Sequence, residues 1–388
     1  MIAKKHIINA LTGRSTQEPS HQRACVRCEQ AAGLAEYAPE RSAESFMQLG
    51  GTGKPVTAVK GCNIVTICSK LRWYSGNTPS DRLVRGLFYC RRIYMETIPA
   101  KTILQKNKSS DWFGNDYNMN LYKGCCHGCI YCDSRSECYG IEDFDTVRKK
   151  KNALEILRDE LRRKVKPGVI GTGAMSDPYN PFEKTELLSR HAAELIDAYG
   201  FGLTVITKSA LITRDIDIFE SIAQHSPILL KMTVTTCDDD LCRKIEPNVS
   251  VSSERFEALA KMSEAGLFTG ITLMPVLPFI EDSEQNIRGI VRKAAEAGVR
   301  IIYPAFGMTL RANQREHYLG KLTEIFGEDM SERYRRQFGN YYECRCPNVN
   351  KLWAAFTGEC GKFGILYKMQ DIISAYKQGY ESSQLTFF

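Results

Sequence analysis

The sequence of 388 residues contains no run of about 18 apolar residues, so no transmembrane helix is expected. A secretion signal is missing as well. Lys4 and Lys5 supply a basic touch, but the apolar stretch within Met1 to Arg14 is too short and too polar for a signal core. The expected compartment is the cytoplasm, with no membrane partner. The cysteine total of 15 is odd, which argues against a closed disulfide framework. Cytosolic thiols stay reduced, so clustered cysteines there point to metal ligands or catalytic groups. There is no internal repeat and no low-complexity tract. A phosphate loop is absent too. Gly50, Gly51, Gly53 and Lys54 suggest one, but Gln48 stands where the first glycine belongs and Pro55 follows the lysine.

Apolar residues make up 43% of the chain and aromatic residues 10%, enough for a sizeable core. The net charge of +7 is unevenly placed. Residues 1–94 hold 14 Lys+Arg against 6 Asp+Glu, a net of +8, and the remainder holds 38 against 39, a net of −1. The main part of the chain therefore lacks the basic excess that marks nucleic-acid binding, although a local basic groove remains open. Residues 1–94 also lack sustained periodicity. They are expected to be a poorly structured extension, dispensable or even the product of a start site chosen too far upstream of Met95. A rival reading makes them a small metal-bound, nucleic-acid-binding module built on Cys25, Cys28, His21, Cys62, Cys68 and Cys90.

From Met95 onward, strand-like and helix-like segments alternate. The expected strands are 118–122, 169–173, 203–207, 228–235, 269–274 and 299–304. The helices between them are 152–165, 186–199, 216–224, 252–265 and 283–297. Six such units imply a parallel sheet with right-handed crossovers, closed wholly or partly into a barrel. The expected fold is α/β: a partial (β/α)6 TIM-like barrel over 95–310, with a helical C-terminal cap over 311–388 that covers part of its opening. Cap helices are expected at 314–326, 349–361 and 369–380. Function belongs at the C-terminal ends of the strands, where the loops converge.

The loop after the first strand reads Gly124-Cys125-Cys126-His127-Gly128-Cys129-Ile130-Tyr131-Cys132. Three thiolates spaced Cys-x3-Cys-x2-Cys can wrap one face of a four-iron cube and leave one iron open for a ligand. The alternatives are a zinc site, for which only His127 or Cys126 could be the fourth ligand, and unliganded cysteines.

Cys125, Cys129 and Cys132, with Tyr131 before the last cysteine and the loop placed after strand one, resemble the radical S-adenosylmethionine (SAM) superfamily. The stretch Tyr117 to Cys125 and the run Ile130-Tyr131-Cys132-Asp133-Ser134-Arg135 resemble its spore photoproduct lyase-like branch, from about Met95 to Phe388. The resemblance implies a 4Fe–4S cluster held by Cys125, Cys129 and Cys132, with S-adenosylmethionine chelated at the open iron. One electron then cleaves the cofactor, and the 5′-deoxyadenosyl radical takes a hydrogen atom from substrate. It implies an electron donor such as flavodoxin or ferredoxin, and a monomer is expected. By the same resemblance Ser176 and Asp177 lie at the cofactor, Lys208 pairs with its carboxylate, Thr233 lies near the ribose and Tyr131 approaches the adenine. The rival for Lys208 is a solvated strand-end lysine, and for Thr233 a buried strand former.

One departure bears on substrate. The lyase carries a hydrogen-donating cysteine just before its Ser-Asp pair, whereas this chain reads Gly173-Ala174-Met175-Ser176-Asp177. The lyase also has an aromatic residue right after the cluster motif, where this chain has Asp133. Spore photoproduct repair is therefore not expected, the hydrogen donor is unassigned and the substrate is open, with a nucleic-acid lesion suggested by family analogy. Cys344, Cys346 and Cys360 read either as helix-packing cysteines or as ligands of a second cluster. Cys237 and Cys242 read as structural, and Glu281 and Asp282 as loop acids that could face the site. A non-enzymatic zinc-binding or nucleic-acid-binding module is the reading from a different class.

Overall fold

The structure, a computed structural model, describes residues 95–164 and 167–380. The expectations for residues 1–94 lie outside the described residues.

The strands are β1 Glu96–Ile98, β2 Leu104–Lys106, β3 Tyr117–Met119, β4 Tyr122–Lys123, β5 Arg148–Lys150, β6 Val169–Thr172, β7 Gly202–Thr207, β8 Ile228–Thr233, β9 Thr269–Leu273, β10 Ile301–Pro304, β11 Gly307–Thr309 and β12 Glu343–Arg345. The helices are α1 Ala153–Arg163, α2 Glu183–Glu186, α3 Leu188–Ala198, α4 Ile216–Ala223, α5 Asp239–Ile245, α6 Ser252–Glu264, α7 Glu284–Glu296, α8 Gln314–Phe326, α9 Glu328–Phe338, α10 Val349–Phe363 and α11 Met369–Lys377.

The main sheet runs β2-β3-β6-β7-β8-β9-β10. All its pairs are parallel except β2 with β3. Six parallel strands in chain order force every crossover to the same side. The crossover helices therefore cover one face, and the other face becomes the inside of a partial barrel, open between β10 and the edge at β2. This is the α/β architecture expected from the sequence, with an added antiparallel edge strand.

Alternation along the strands separates the two faces. Leu203 and Val205 of β7, and Leu230 and Met232 of β8, join the core beneath the helices with Leu157, Ile196 and Phe219. Thr204 and Ile206 point inward and line an interior cavity. Leu157 and Leu161 of α1 are fully buried, each contributing roughly 1.5–3 kcal/mol.

The structure differs from the expected elements at several places, and it adds helices α5 and α9, which the sequence did not lead us to expect. The first strand, expected over 118–122, ends at Met119. Tyr122–Lys123 forms β4, which joins β1 and β5 in a separate sheet because Tyr122 pairs with Lys149. The helix expected over 186–199 begins at Leu188, because Leu187 adopts φ +53° and breaks it from α2. The C-terminal region also contains strand β12, paired with β11. Its last helix, α11, closes the N-terminal end of the barrel rather than the catalytic end. There Ile372 and Tyr376 pack with Phe113, Leu229 and Ile301, and the Tyr376 hydroxyl donates to the Phe113 carbonyl at 2.6 Å.

Candidate active site

The cysteine loop sits at the C-terminal end of the barrel, between β4 and β5. Gly124, at φ +82°, opens it, and a Cβ there would lie 2.2 Å from the Thr146 carbonyl, so only glycine fits. Backbone hydrogen bonds hold the loop on three sides: Cys125 N–H to the Phe144 carbonyl at 2.8 Å, Ile130 N–H to the Ile245 carbonyl at 3.0 Å, and Asn248 N–H to the His127 carbonyl at 3.1 Å. The Ser176 hydroxyl donates to the Gly124 carbonyl.

Burial pushes the Cys125 thiol up to about 12, with the Asp177 charge adding to it. Burial raises Cys129 well above its ordinary value, and the charges of Cys132 and Cys125 add to the effect. The three sulfurs thus sense one another electrostatically. Thiolates held here would need a compensating cation, which the irons of a cluster would supply. Among the described residues no three Cys, His, Asp or Glu side chains gather around a single-ion site. Three cysteine sulfurs would hold three irons of a four-iron cluster, whereas a structural zinc ion would need a fourth ligand.

Lys208 directly follows β7 and lines a cavity of about 460 Å³ together with Tyr131, Cys132, Ala174, Met274 and Ala305. Its Nζ lies 5.7 Å from the Tyr131 ring centroid. Burial alone would lower its pKa, but the charges of Cys129 and Glu246 reverse this and hold it above its ordinary value, so the amine stays cationic. The Lys208 side chain is half-buried.

Asp177 is committed within the protein. Its carboxylate accepts from the Thr207 hydroxyl at 2.6 Å and from the Lys208 backbone N–H at 2.9 Å, and it lies 3.4 Å from His127 Nδ1. Ser176 and Asp177 therefore brace the loop and the end of β7. Gly173, at φ +97°, makes the tight turn before them, and a Cβ there would lie 2.0 Å from the Ile206 carbonyl. Thr233 lies on the inner face of β8, with its hydroxyl 2.9 Å from that of Thr272.

The structure adds residues that the sequence reading missed. The Tyr131 hydroxyl donates to Glu246, and the Tyr131 carbonyl accepts from Gln314 at 2.9 Å. Arg255, fully buried, donates to Glu246 and to the Thr233 carbonyl at 2.7 Å. No local signal marks these residues, because Glu246 is 115 positions from Tyr131 and Gln314 is 183. Asp133 accepts from the Tyr139 hydroxyl at 2.8 Å and pairs with Arg311 at 3.3 Å.

Glu281 is fully buried, and burial pushes its carboxyl up to about 8. Cys346 packs in the main core with Cys360, while Cys344 lies in a different apolar cluster, so the three are not assembled as one ligand group. A second cavity of about 290 Å³ is lined by Lys108, Trp112, Asn118 and Thr204, and Ala174 borders both cavities.

An uncharacterized protein of Mycobacterium tuberculosis is 28% identical over 253 residues, covering 63% of this chain and 74% of the relative. One from Methanocaldococcus jannaschii is 32% identical over 178 residues, covering 45% of this chain and 65% of the relative. The fold is similar to that of spore photoproduct lyase complexed with dinucleoside spore photoproduct, with a TM-score of 0.53 and 16% identity over 76% of this chain and 86% of that one. Residues 119–303 match the family model of the radical SAM superfamily.

Proposed function

We propose that this chain is a radical SAM enzyme that reductively cleaves S-adenosylmethionine at a 4Fe–4S cluster held by Cys125, Cys129 and Cys132. The observation that carries the reading is the meeting of this three-cysteine loop with the cationic, half-buried Lys208 at the mouth of a cavity of about 460 Å³. A bound cluster with its cofactor supplies one-electron cleavage and a carbon radical. The protein's own residues bind, orient and exclude water. Lys208 is placed to pair with the cofactor carboxylate and Tyr131 to face its adenine, while Asp177 keeps the end of β7 in register with the loop. Thr233, already paired with Thr272, is a candidate for the ribose. An electron carrier such as flavodoxin or ferredoxin is the proposed partner.

The substrate reading rests on relatives. Solved spore photoproduct lyases hold a dinucleoside lesion, which supports a nucleic-acid substrate here. Ala174 and Met175 offer no thiol before Ser176, so repair of that particular lesion is not proposed. The test is anaerobic incubation of reduced protein with S-adenosylmethionine and candidate substrates, with 5′-deoxyadenosine as the product measured. No 5′-deoxyadenosine from cluster-loaded protein sinks the reading.

Two further outcomes are expected. Lys208→Ala should weaken cofactor binding by roughly 1–3 kcal/mol, the scale of a charged hydrogen bond, and leave iron content intact. Equilibrium binding measured by a cofactor-induced spectral change checks this, and unchanged affinity refutes it. We also propose that residues 95–310 form the catalytic unit, that 311–388 cover it, and that 1–94 are dispensable. A protein of residues 95–388 should retain its iron and its 5′-deoxyadenosine formation. Loss of either shows that the extension is needed.

A further inference from the structure

We propose that Glu246, pinned by Arg255, is the positioning residue that fixes Tyr131, and with it the cysteine loop, beside Lys208. The inference rests on the cluster reading above and adds a residue to it. Tyr131 lies between Cys129 and Cys132, so whatever holds its ring also sets the path of the last two sulfurs. Its hydroxyl donates to Glu246 Oε1. Glu246 follows α5 directly, and the carbonyl of Ile245, one residue earlier, accepts from Ile130 N–H at 3.0 Å. The end of α5 therefore grips the loop twice, once by backbone and once by side chain.

Arg255 makes the grip rigid. Its Nη2 donates to Glu246 Oε2, its Nη1 to the Thr233 carbonyl at 2.7 Å and its Nε to the Ser250 carbonyl at 2.7 Å. One guanidinium thus ties the carboxylate that holds the loop to the end of β8. Glu246 is 2% exposed and Arg255 is fully buried. Burying such a pair costs several kcal/mol per ion, and apolar residues of similar volume often serve stability equally well. The pair is better explained by the position and charge it gives the site than by stability. Both effects reach the sulfurs, because the Glu246 charge acts on Cys129 and on Lys208. A buried negative charge there opposes an added electron, by Coulomb repulsion in a medium of low dielectric.

The experiment compares the full chain with Glu246→Gln and Tyr131→Phe, each reconstituted anaerobically. It reads iron content, S-adenosylmethionine affinity and cluster midpoint potential. Both variants should bind the cofactor roughly tenfold or more weakly, the scale of one charge-assisted hydrogen bond. Only Glu246→Gln should move the midpoint potential, and the shift should be upward, because only that variant removes a charge. A Glu246→Gln protein with full iron and wild-type affinity and potential overturns the proposal. If Glu246→Gln loses its iron, Tyr131→Phe decides alone: weakened cofactor binding with iron retained supports the positioning role, and unchanged binding overturns it. Failure of the wild-type chain to hold a four-iron cluster would defeat the earlier reading instead.

Discussion

Alanine at Cys125, Cys129 or Cys132 is expected to abolish both iron binding and cofactor cleavage. The reconstituted wild-type chain should hold about four irons, the stoichiometry of one cube. The effect should be all or nothing for a physical reason. On the proposed reading each cysteine would be one of three protein ligands, and burial pushes Cys125 and Cys129 toward the neutral thiol, so the cluster's charge would be what keeps them ionised. Two remaining thiolates cannot hold a cube that already has one iron without a protein ligand. Cys126→Ala is the control, and it should keep its iron, because the backbone carbonyl of Cys126 is what holds Asn248 in place, at 3.0 Å. Iron, sulfide and the visible spectrum check the whole set. Full iron in the Cys129→Ala protein would sink the assignment.

Lys231→Met is expected to raise the stability of the fold by about 3–5 kcal/mol near pH 6, the cost of a desolvated ammonium on the scale of about 1.4 kcal/mol per pKa unit. Lys231 lies on the inner face of β8, fully buried, and its Nζ has no hydrogen-bond partner among the described residues. Its nearest compensation is the face of Phe113, 4.3 Å from the ammonium to the ring centroid. Burial lowers its pKa from 10.5 to about 7.

The sign follows from proton counts. Between pH 7 and 10.5 the unfolded chain holds the proton and the folded chain does not, so stability rises with pH across that window. Below pH 7 both states are protonated and the cost is present in full. Above pH 10.5 both are neutral and it vanishes. Methionine, unbranched and of similar length, fills the same space without the charge. Its advantage should therefore be greatest at pH 6 and disappear above pH 10.5. Denaturant unfolding of both proteins across this range checks the prediction. A Lys231→Met protein no more stable than wild type at pH 6 would refute it.

The sequence by itself determined the six parallel strands, the placement of the cysteine loop at their C-terminal end and the position of Lys208 at the end of β7. These were legible because each depends on short-range pattern: periods of two and 3.6 residues, and candidate ligands within eight residues of chain. The strand boundary at Met119 and the β11–β12 pair were not legible, since they depend on pairing partners far away in the sequence. The hydrogen bonds by which Ser176 and Asp177 brace Gly124 and Lys208 were hidden for the same reason and became visible only in the fold. Only the tertiary structure brought Glu246, Arg255 and Gln314 to Tyr131 and left the Lys231 ammonium without a hydrogen-bond partner among the described residues. Local propensity can place a residue on a strand or at a helix end. Whether a buried charge there finds a counter-charge depends on how distant segments pack.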